Sequence, residues 1–229
     1  MNVTVKHHYQ LNEMKAQLLE LYKQHLPALK AVVAAHPSDT LLGPHLMSPN
    51  DLYPQQMNRL LIVGQETGGW DSFVDDPVRQ MEVYEEFNVG KGYFSSPFWN
   101  VTRKVEKLLG NKPHSCAWTN VSKFDHNKKR AEGIYEKTIA SVDGLLRDEI
   151  RILEPTFCLF YTGPAFDMRL MGIFKGLAYH EVPGYDLRAL ARLEHPLLPE
   201  RTYRSYHPNY LRQQGLEEGF LDFIRTHLN

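Results

Sequence analysis

Four short apolar runs end abruptly in glycine or polar residues, and long amphipathic stretches separate them. We predict these runs as buried strands, which cover Arg59–Val63, Cys116–Thr119, Phe157–Tyr161 and Thr202–Tyr206. Strands that alternate with helices favour a parallel sheet covered by helices, with function at the carboxyl ends of the strands. The sequence therefore predicts an α/β fold: a three-layer α/β/α sandwich with a central, mainly parallel four-stranded sheet.

The intervening segments are mostly helical in their apolar spacing. We predict helices from Leu11 to Leu29, after Pro97, from Ile134 to Leu153, after Pro164 and from Leu216 to His227. A weaker strand is expected at Leu177 to Val182. The stretch from Leu187 to Leu193 has a helical pattern, so His195, which follows it, is given a structural role.

Length and composition limit the kinds of protein that this chain can be. With 229 residues, of which 42% are hydrophobic, the sequence predicts one domain over 1–229, with an N-terminal helix and loop at 1–59 and a catalytic core at 60–229. The formal charge of −1, from 26 basic and 27 acidic residues, gives no overall positive field that would attract nucleic acid, so any such surface must be local.

The cysteine count and the hydropathy pattern point to an intracellular compartment. Cys116 and Cys158 are the only cysteines, which excludes a disulfide framework and a four-cysteine metal site. No apolar run approaches membrane-spanning length, and the first ten residues lack the apolar core of a signal peptide. We expect a cytoplasmic, monomeric protein with no membrane contact.

Two loops at predicted strand ends carry chemistry-bearing side chains. The first strand runs into Gly64-Gln65-Glu66-Thr67-Gly68, where glycines allow backbone amides to approach a ligand closely. The last strand runs into the segment from Ser205 to Leu211, which contains His207. In an α/β fold the carboxylate and the imidazole could converge at one edge of the sheet.

Four blocks, in order, resemble the uracil-DNA glycosylase superfamily. The segment 64–68 is similar to its first catalytic loop, 96–98 (SPF) to its base-stacking segment, 119–123 (TNVSK) to its base-reading strand end, and 205–211 (SYHPNYL) to its second catalytic loop. The last two blocks are most similar to the family-4 branch of bacteria and archaea. The resemblance covers the chain from about Leu60 onward, and residues 1–59 carry no matching motif.

The resemblance implies a DNA glycosylase that acts in base-excision repair and leaves an abasic site. Breaking a base–deoxyribose bond produces a sugar cation and an anionic base, so groups that favour these charges lower the barrier. Glu66 could orient water and stabilise the sugar, and His207 could donate to the departing base. These two residues are the predicted catalytic residues.

Recognition of a flipped base is assigned to four further residues. Asn120 offers a donor and an acceptor to a pyrimidine edge, and Phe98 can stack on the extruded ring. The backbone of Gly64 and Gln65 would add fixed donors. No metal ligand and no cofactor is predicted, and because no lysine lies in the two catalytic loops we expect a monofunctional enzyme, with Lys123 as the one residue that keeps a lyase step open.

DNA contacts are predicted beside the pocket. Basic residues would neutralise phosphates, and Tyr210 or Leu211 could wedge into the base stack. The predicted DNA-binding residues are Lys123, Lys128, Lys129, Arg130, Arg204, Pro208, Asn209, Tyr210, Leu211 and Arg212. The acidic stretch from Asp71 to Glu86 should then point away from DNA.

Departures from the family pattern leave other functions open. The four cysteines that hold the family-4 iron–sulfur cluster are missing, so the cluster is predicted absent. Thr67 replaces the usual proline, and Glu66 is bulkier than the usual residue. One alternative is therefore a glycosylase for a hypermodified base, for example in defence against phage; another is a catalytically inactive nucleic-acid-binding member. A nucleotide-binding enzyme is disfavoured because the glycine loop has neither a P-loop lysine nor a G-x-G-x-x-G pattern.

Overall fold

The computed structural model describes residues 3–37 and 40–227, which fold into helices and a mixed sheet of the α/β class. The helices of the described chain are α1 (Val3–Ala34), α2 (Pro77–Phe87), α3 (Pro97–Leu108), α4 (Gly133–Ala140), α5 (Gly144–Leu153), α6 (Asp167–Ile173), α7 (Pro208–Gln213) and α8 (Glu217–His227). The strands are β1 (Leu41–Leu42), β2 (Leu60–Gly64), β3 (Ala117–Asn120), β4 (Asp125–His126), β5 (Phe157–Phe160), β6 (Ala178–Glu181), β7 (Leu190–Glu194) and β8 (Thr202–Ser205).

The main sheet has six strands in the order β3-β2-β5-β8-β7-β6, where the sequence predicted four. The four strongest predicted strands are β3, β2, β5 and β8, and they pair in parallel as one contiguous part of the sheet. The expected weak strand is β6. It joins the sheet through β7, which is antiparallel to both of its neighbours.

Strand β7 corrects the prediction of a helix at Leu187 to Leu193. Residues 190–192 pair with 203–205 of β8, and 191–194 pair with 178–181 of β6. His195 therefore follows a strand, as His207 does. Because β7 and β8 are antiparallel, however, the two histidines lie at opposite ends of the sheet, so His195 is far from the loops at the carboxyl ends of the parallel strands.

Adjacent residues of β3 contact different groups of helices. The Trp118 ring lies against Trp99 of α3 with a centroid distance of 5.1 Å, while Thr119 Oγ1 donates to Glu149 Oε2 of α5 at 2.8 Å. Successive side chains of a strand point to opposite faces of the sheet. Helices α3 and α5 therefore cover opposite faces at this strand.

Helix α1 begins well before the predicted start at Leu11 and packs onto the core. Leu18 and Tyr22 are fully buried and belong to the same hydrophobic cluster as Ile62 of the sheet and Phe223 of α8. The apolar stripe of α1 explains why this helix forms, because most helical stability comes from the packing of such a face. No helix of the described residues is long and apolar enough to span a membrane.

The acidic stretch after the glycine loop is held against α1. Lys15 Nζ lies 2.7 Å from Glu85 of α2, and Lys30 Nζ lies 2.5 Å from Asp75. This pairing places part of the negative charge of the stretch beside the basic side chains of α1. The last residue of α2, Phe87, instead reaches the site described below.

Candidate active site

The carboxyl ends of the parallel strands lie at one edge of the sheet. Gly64 is paired with Asn120, and Val63 is paired with both Thr119 and Phe160. From β2 the chain continues to β3, towards one edge of the sheet, whereas from β5 it continues to β6, at the opposite edge. The strand order therefore reverses between β2 and β5. A crevice at such a point is the usual ligand site of open α/β sheets.

A cavity of about 310 Å³ occupies this crevice. Five of the six residues predicted for catalysis and base binding line it: Gln65, Glu66, Phe98, Asn120 and His207. The sixth, Gly64, lies directly beneath it, because a Cβ atom there would come within 2.2 Å of Asn120 Oδ1. The glycine therefore allows the Asn120 amide to lie over the end of β2.

Glu66 is mostly buried, and its Oε2 atom has no hydrogen-bond partner within residues 3–37 and 40–227. Burial raises the pKa of Glu66 to about 7, although the positive charges of Arg130 and Arg169 act in the opposite direction. A carboxyl group with this pKa exchanges protons readily near neutral pH, which suits a general base.

His207 is the N-cap residue of α7. Its Nδ1 atom accepts a hydrogen bond from the backbone N–H of Asn209 at 3.2 Å. Burial lowers the pKa of His207 to about 4. The ring is therefore neutral at pH 7, and because Nδ1 is an acceptor, the ring proton is on Nε2.

The Asn120 amide is oriented by a neighbouring indole. Trp118 Nε1 donates to Asn120 Oδ1 at 3.2 Å, which identifies the oxygen side of the amide. The Nδ2 atom of Asn120 is buried and makes no hydrogen bond to any described group. A buried donor without a partner costs about 1–3 kcal/mol, so this amide is suited to a carbonyl acceptor on a ligand.

Phe98 occupies the second helical position of α3 and belongs to an aromatic cluster. Its ring centroid lies 5.4 Å from that of Tyr161, 6.1 Å from Trp118 and 5.7 Å from His207. These contacts fix the ring at the wall of the cavity. Gln65 is held differently, through a hydrogen bond of 2.8 Å from its Nε2 atom to the Thr162 carbonyl.

Asp125, which the sequence analysis did not single out, holds the glycine loop. Its buried Oδ2 atom accepts from Thr67 Oγ1 at 2.8 Å and from the backbone N–H groups of Gly69 and Trp70 at 2.8 and 3.2 Å. Its Oδ1 atom accepts from the Lys128 N–H at 2.8 Å. The unusual Thr67 thus serves to anchor the loop.

The aromatic wall of the cavity was also missed. It includes Trp70, Phe87, Tyr93 and Trp118, of which Trp70 and Phe87 lie directly before and after the acidic stretch from Asp71 to Glu86. A signal was present in the sequence, because aromatic residues recur from position 70 to 99. Their spacing matches neither a single helix nor a strand, so the pattern did not reveal a shared surface.

Four of the predicted DNA contacts are buried: Lys123, Arg204, Pro208 and Leu211. Lys123 Nζ lies 2.5 Å from Glu149 Oε2, with both side chains fully buried. Arg204 is 1% exposed, pairs with Asp167 and donates to the carbonyls of 187 and 188. Leu211 is 2% exposed, which excludes it as a wedge, and Pro208 is buried as the first residue of α7.

The other predicted DNA contacts lie on or near the surface. Lys128, Lys129, Asn209, Tyr210 and Arg212 are exposed. Arg212 is paired with Glu217 at 2.7 Å. Arg130 is partly exposed and pairs with Glu136 at 2.8 Å, with its guanidinium 4.4 Å from the Phe166 ring centroid. Tyr210, which is 43% exposed, is the wedge candidate that the fold leaves accessible.

The described residues that line the cavity include no lysine, and Lys123 is held in its buried ion pair. Among the described residues, no group of three or more His, Cys, Asp or Glu side chains is arranged to hold a metal ion.

The sequence matches no protein-family model and no curated protein. Membership of the glycosylase superfamily therefore stays a prediction.

Proposed function

We propose that this protein is a monofunctional DNA glycosylase that hydrolyses the N-glycosidic bond of a flipped uracil or related base. The observation that supports this most strongly is the convergence of Glu66, Asn120, His207 and Phe98 on one cavity. The sequence blocks that hold these residues resemble the uracil-DNA glycosylase superfamily in their residues and in their order along the chain. A three-layer α/β/α arrangement is the fold that the proposal requires, and the helices on both faces at β3 agree with it.

In the proposed reaction, water adds to the sugar C1′ as the bond to the base breaks. Glu66 in its ionised form accepts a proton from this water and stabilises the positive charge on the sugar. The bonding electrons leave with the base, and the neutral His207 donates its Nε2–H to a carbonyl oxygen of that base. Each interaction strengthens as charge develops, which is the condition for catalysis.

Base selection in this proposal depends on the Asn120 amide. Its unpartnered Nδ2 group favours a base that presents a carbonyl oxygen, as uracil and hypoxanthine do, over one that presents an amino group. Phe98 stacks on the extruded ring. A lone buried donor that meets another donor would remain unsatisfied, and that penalty is the basis of the discrimination.

A modified base is the second candidate substrate. The cavity volume of about 310 Å³ is at the lower end of the range of about 300–1,000 Å³ for small-molecule sites. Trp70, Phe87 and Tyr93 extend the wall beyond the residues that would hold a plain pyrimidine. A substituent on the base could pack against these rings. This observation keeps a glycosylase for hypermodified bases, with a role in defence, as the alternative.

A substrate panel tests both candidates. Oligonucleotides that carry uracil, hypoxanthine, oxidised bases or glucosylated bases are incubated with the protein and then assayed for alkali-labile abasic sites. We expect cleavage at a carbonyl-bearing base and its loss in Glu66→Ala, Asn120→Ala and His207→Ala. Full activity in all three variants would refute the site. Binding of DNA without any abasic product would support the inactive, nucleic-acid-binding alternative.

A further inference from the structure

A second cavity, of about 640 Å³, lies beside the candidate active site. Trp99 and Tyr93 line both cavities. The floor of the second cavity is one side of α3, from Trp99 to Lys107, and this distance of eight residues corresponds to about 12 Å along the helix. Helix α3 also contacts α7, which carries the exposed Asn209 and Tyr210. The second cavity therefore continues the surface that surrounds the first.

In the described part of the chain, the lining of the second cavity contains basic side chains and no carboxylate. Lys91, Arg103, Lys107 and His114 contribute to the lining. Burial and the charges of Arg103 and Lys91 lower the pKa of His114, so this ring is neutral at pH 7. The remaining three side chains are cations. Such a local positive surface is compatible with the near-zero net charge of the whole chain.

The charge of Arg103 is only partly compensated. Its Nη1 atom lies 3.2 Å from Glu106 Oε2, but the Glu106 carboxylate also accepts hydrogen bonds from the backbone N–H groups of residues 114–116, at 2.8 to 3.0 Å. The Arg103 guanidinium lies over the Trp99 ring, 5.4 Å from its centroid. One carboxylate is thus shared among several donors, and positive charge is left at the cavity.

Two exposed aromatic side chains complete the rim. Phe94 is 82% exposed and Tyr93 is 56% exposed. Aromatic rings interleaved with cations are the arrangement that binds single-stranded nucleic acid, because bases stack on the rings while phosphates meet the cations. Both rings belong to the lining of the second cavity, beside these cations.

We propose that this second cavity binds a single-stranded segment of the DNA substrate, next to the base that enters the first cavity. The proposal rests on the proposed function, because that function supplies DNA as the ligand. Lys91 and Lys107 contact phosphates, Arg103 adds positive charge to the floor, and a base stacks on Phe94 or Tyr93. The protein should therefore prefer DNA in which the nucleotides beside the target base are unpaired.

Binding of a labelled, undamaged oligo-dT to the full chain tests this proposal by fluorescence anisotropy over a range of salt concentrations. In Lys91→Gln/Lys107→Gln the salt dependence should weaken by a slope of about 1.4, since each phosphate contact on a single strand contributes about 0.7. Phe94→Ser should weaken binding by about tenfold, as the loss of one base–aromatic stack does. Because the Phe94 side chain is exposed, this variant should fold as the wild type does, and thermal unfolding checks this.

Matched changes elsewhere serve as controls: Lys23→Gln/Lys175→Gln removes two exposed lysines, and Met57→Ser removes a side chain that is 91% exposed. These variants should bind like the wild type. Equal losses in both sets, unchanged affinity in the cavity variants, or no binding of oligo-dT would overturn the proposal. Abasic-site assays run in parallel separate the two ideas. If binding depends on the second cavity but no abasic product forms, only the proposed reaction is refuted. If the rate of base excision is the same in the cavity variants and the wild type, only this inference is refuted.

Discussion

The end of β3 carries two buried polar side chains in opposite situations. Asn120 reaches the candidate active site, where its Nδ2 group has no partner in the described structure. Three residues later, Lys123 Nζ lies 2.6 Å from Thr119 Oγ1 and 2.5 Å from Glu149 Oε2. Glu149 also accepts from Tyr22 Oη of α1 at 2.9 Å. The Lys123 network is paired throughout, whereas Asn120 and Glu66 retain unused hydrogen-bonding capacity.

This difference separates a role in stability from a role in binding. A buried polar group is retained at low cost when it is paired, and each unpaired one costs free energy that the fold recovers only when a ligand arrives. The comparison predicts that changes in the Lys123 network affect unfolding, and that changes at Glu66 or His207 affect the reaction. Measurements of unfolding and of reaction rate in variants of the two groups test this distinction.

The largest expected effect is on stability, from Lys123→Met. Removing one partner of a buried ion pair leaves Glu149 charged and uncompensated, which typically costs about 3–5 kcal/mol. Urea denaturation should show this loss, while the rate of base excision per folded molecule stays near that of the wild type. Lys129→Met, at an exposed position, should change stability by no more than about 0.5 kcal/mol. Weaker DNA binding with unchanged unfolding would instead restore Lys123 as a phosphate contact.

Lys123 also shows why the burial of a predicted DNA contact could not be read from the sequence. Lys123 and Lys128 follow the same strand and have the same chemistry, but only Lys128 is exposed. What decides between them is Glu149, which is 26 positions away on α5. A linear pattern contains no information about such a partner. Long-range pairing therefore has to be seen in three dimensions.

Strand β7 illustrates a second limit. Leucine, alanine and arginine dominate residues 187–193, and all three are strong helix formers. Pairing with β6 and β8 overrides this preference. The parallel strands were easier to recognise, because strands buried on both faces are nearly continuous apolar runs. The convergence of Glu66 and His207 followed from those strands, since their carboxyl ends share one edge.

The second prediction concerns the chemical step. Glu66→Gln keeps the size of the side chain but removes the carboxylate, and His207→Ala removes the Nε2–H donor. Each should lower the single-turnover rate of base excision by about 10²- to 10³-fold, the usual effect of losing one group that stabilises transition-state charge. Glu132→Gln, at an exposed position on the approach to α4, is the matched control and should retain the wild-type rate. A loss of less than tenfold in both active-site variants would contradict their catalytic roles.

The third prediction is that Glu66→Gln stabilises the protein at high pH. Burial raises the pKa of Glu66 from 4.5 to about 7. For a carboxyl group with a raised pKa, stability is greatest below about 4.5 and falls as pH rises through about 7, because the unfolded chain ionises more readily. The variant should therefore be more stable than the wild type at pH 8, by about 3 kcal/mol, and nearly equal to it at pH 4.

Urea denaturation at the two pH values measures this difference. Glu132→Gln should show no such dependence, because its side chain is exposed. A variant that is less stable than the wild type at pH 8 would show that Glu66 is part of a favourable structural network. Such a result would remove the distinction between Glu66 and the Lys123 group.

The smallest expected effect is a shift in the pH profile of the reaction when a charge beside Glu66 is removed. If ionised Glu66 acts as the base, the single-turnover rate at protein concentrations below saturation, which reports the free protein, should fall about tenfold per pH unit below about 7 and level off above it. His207 does not contribute to this profile, because its pKa of about 4 keeps it neutral throughout. The charge of Arg130 lowers the pKa of Glu66 and that of Glu136 raises it. Arg130→Gln should therefore move the midpoint to higher pH and Glu136→Gln to lower pH, and shifts of the same sign in both variants would show that a different group sets the profile.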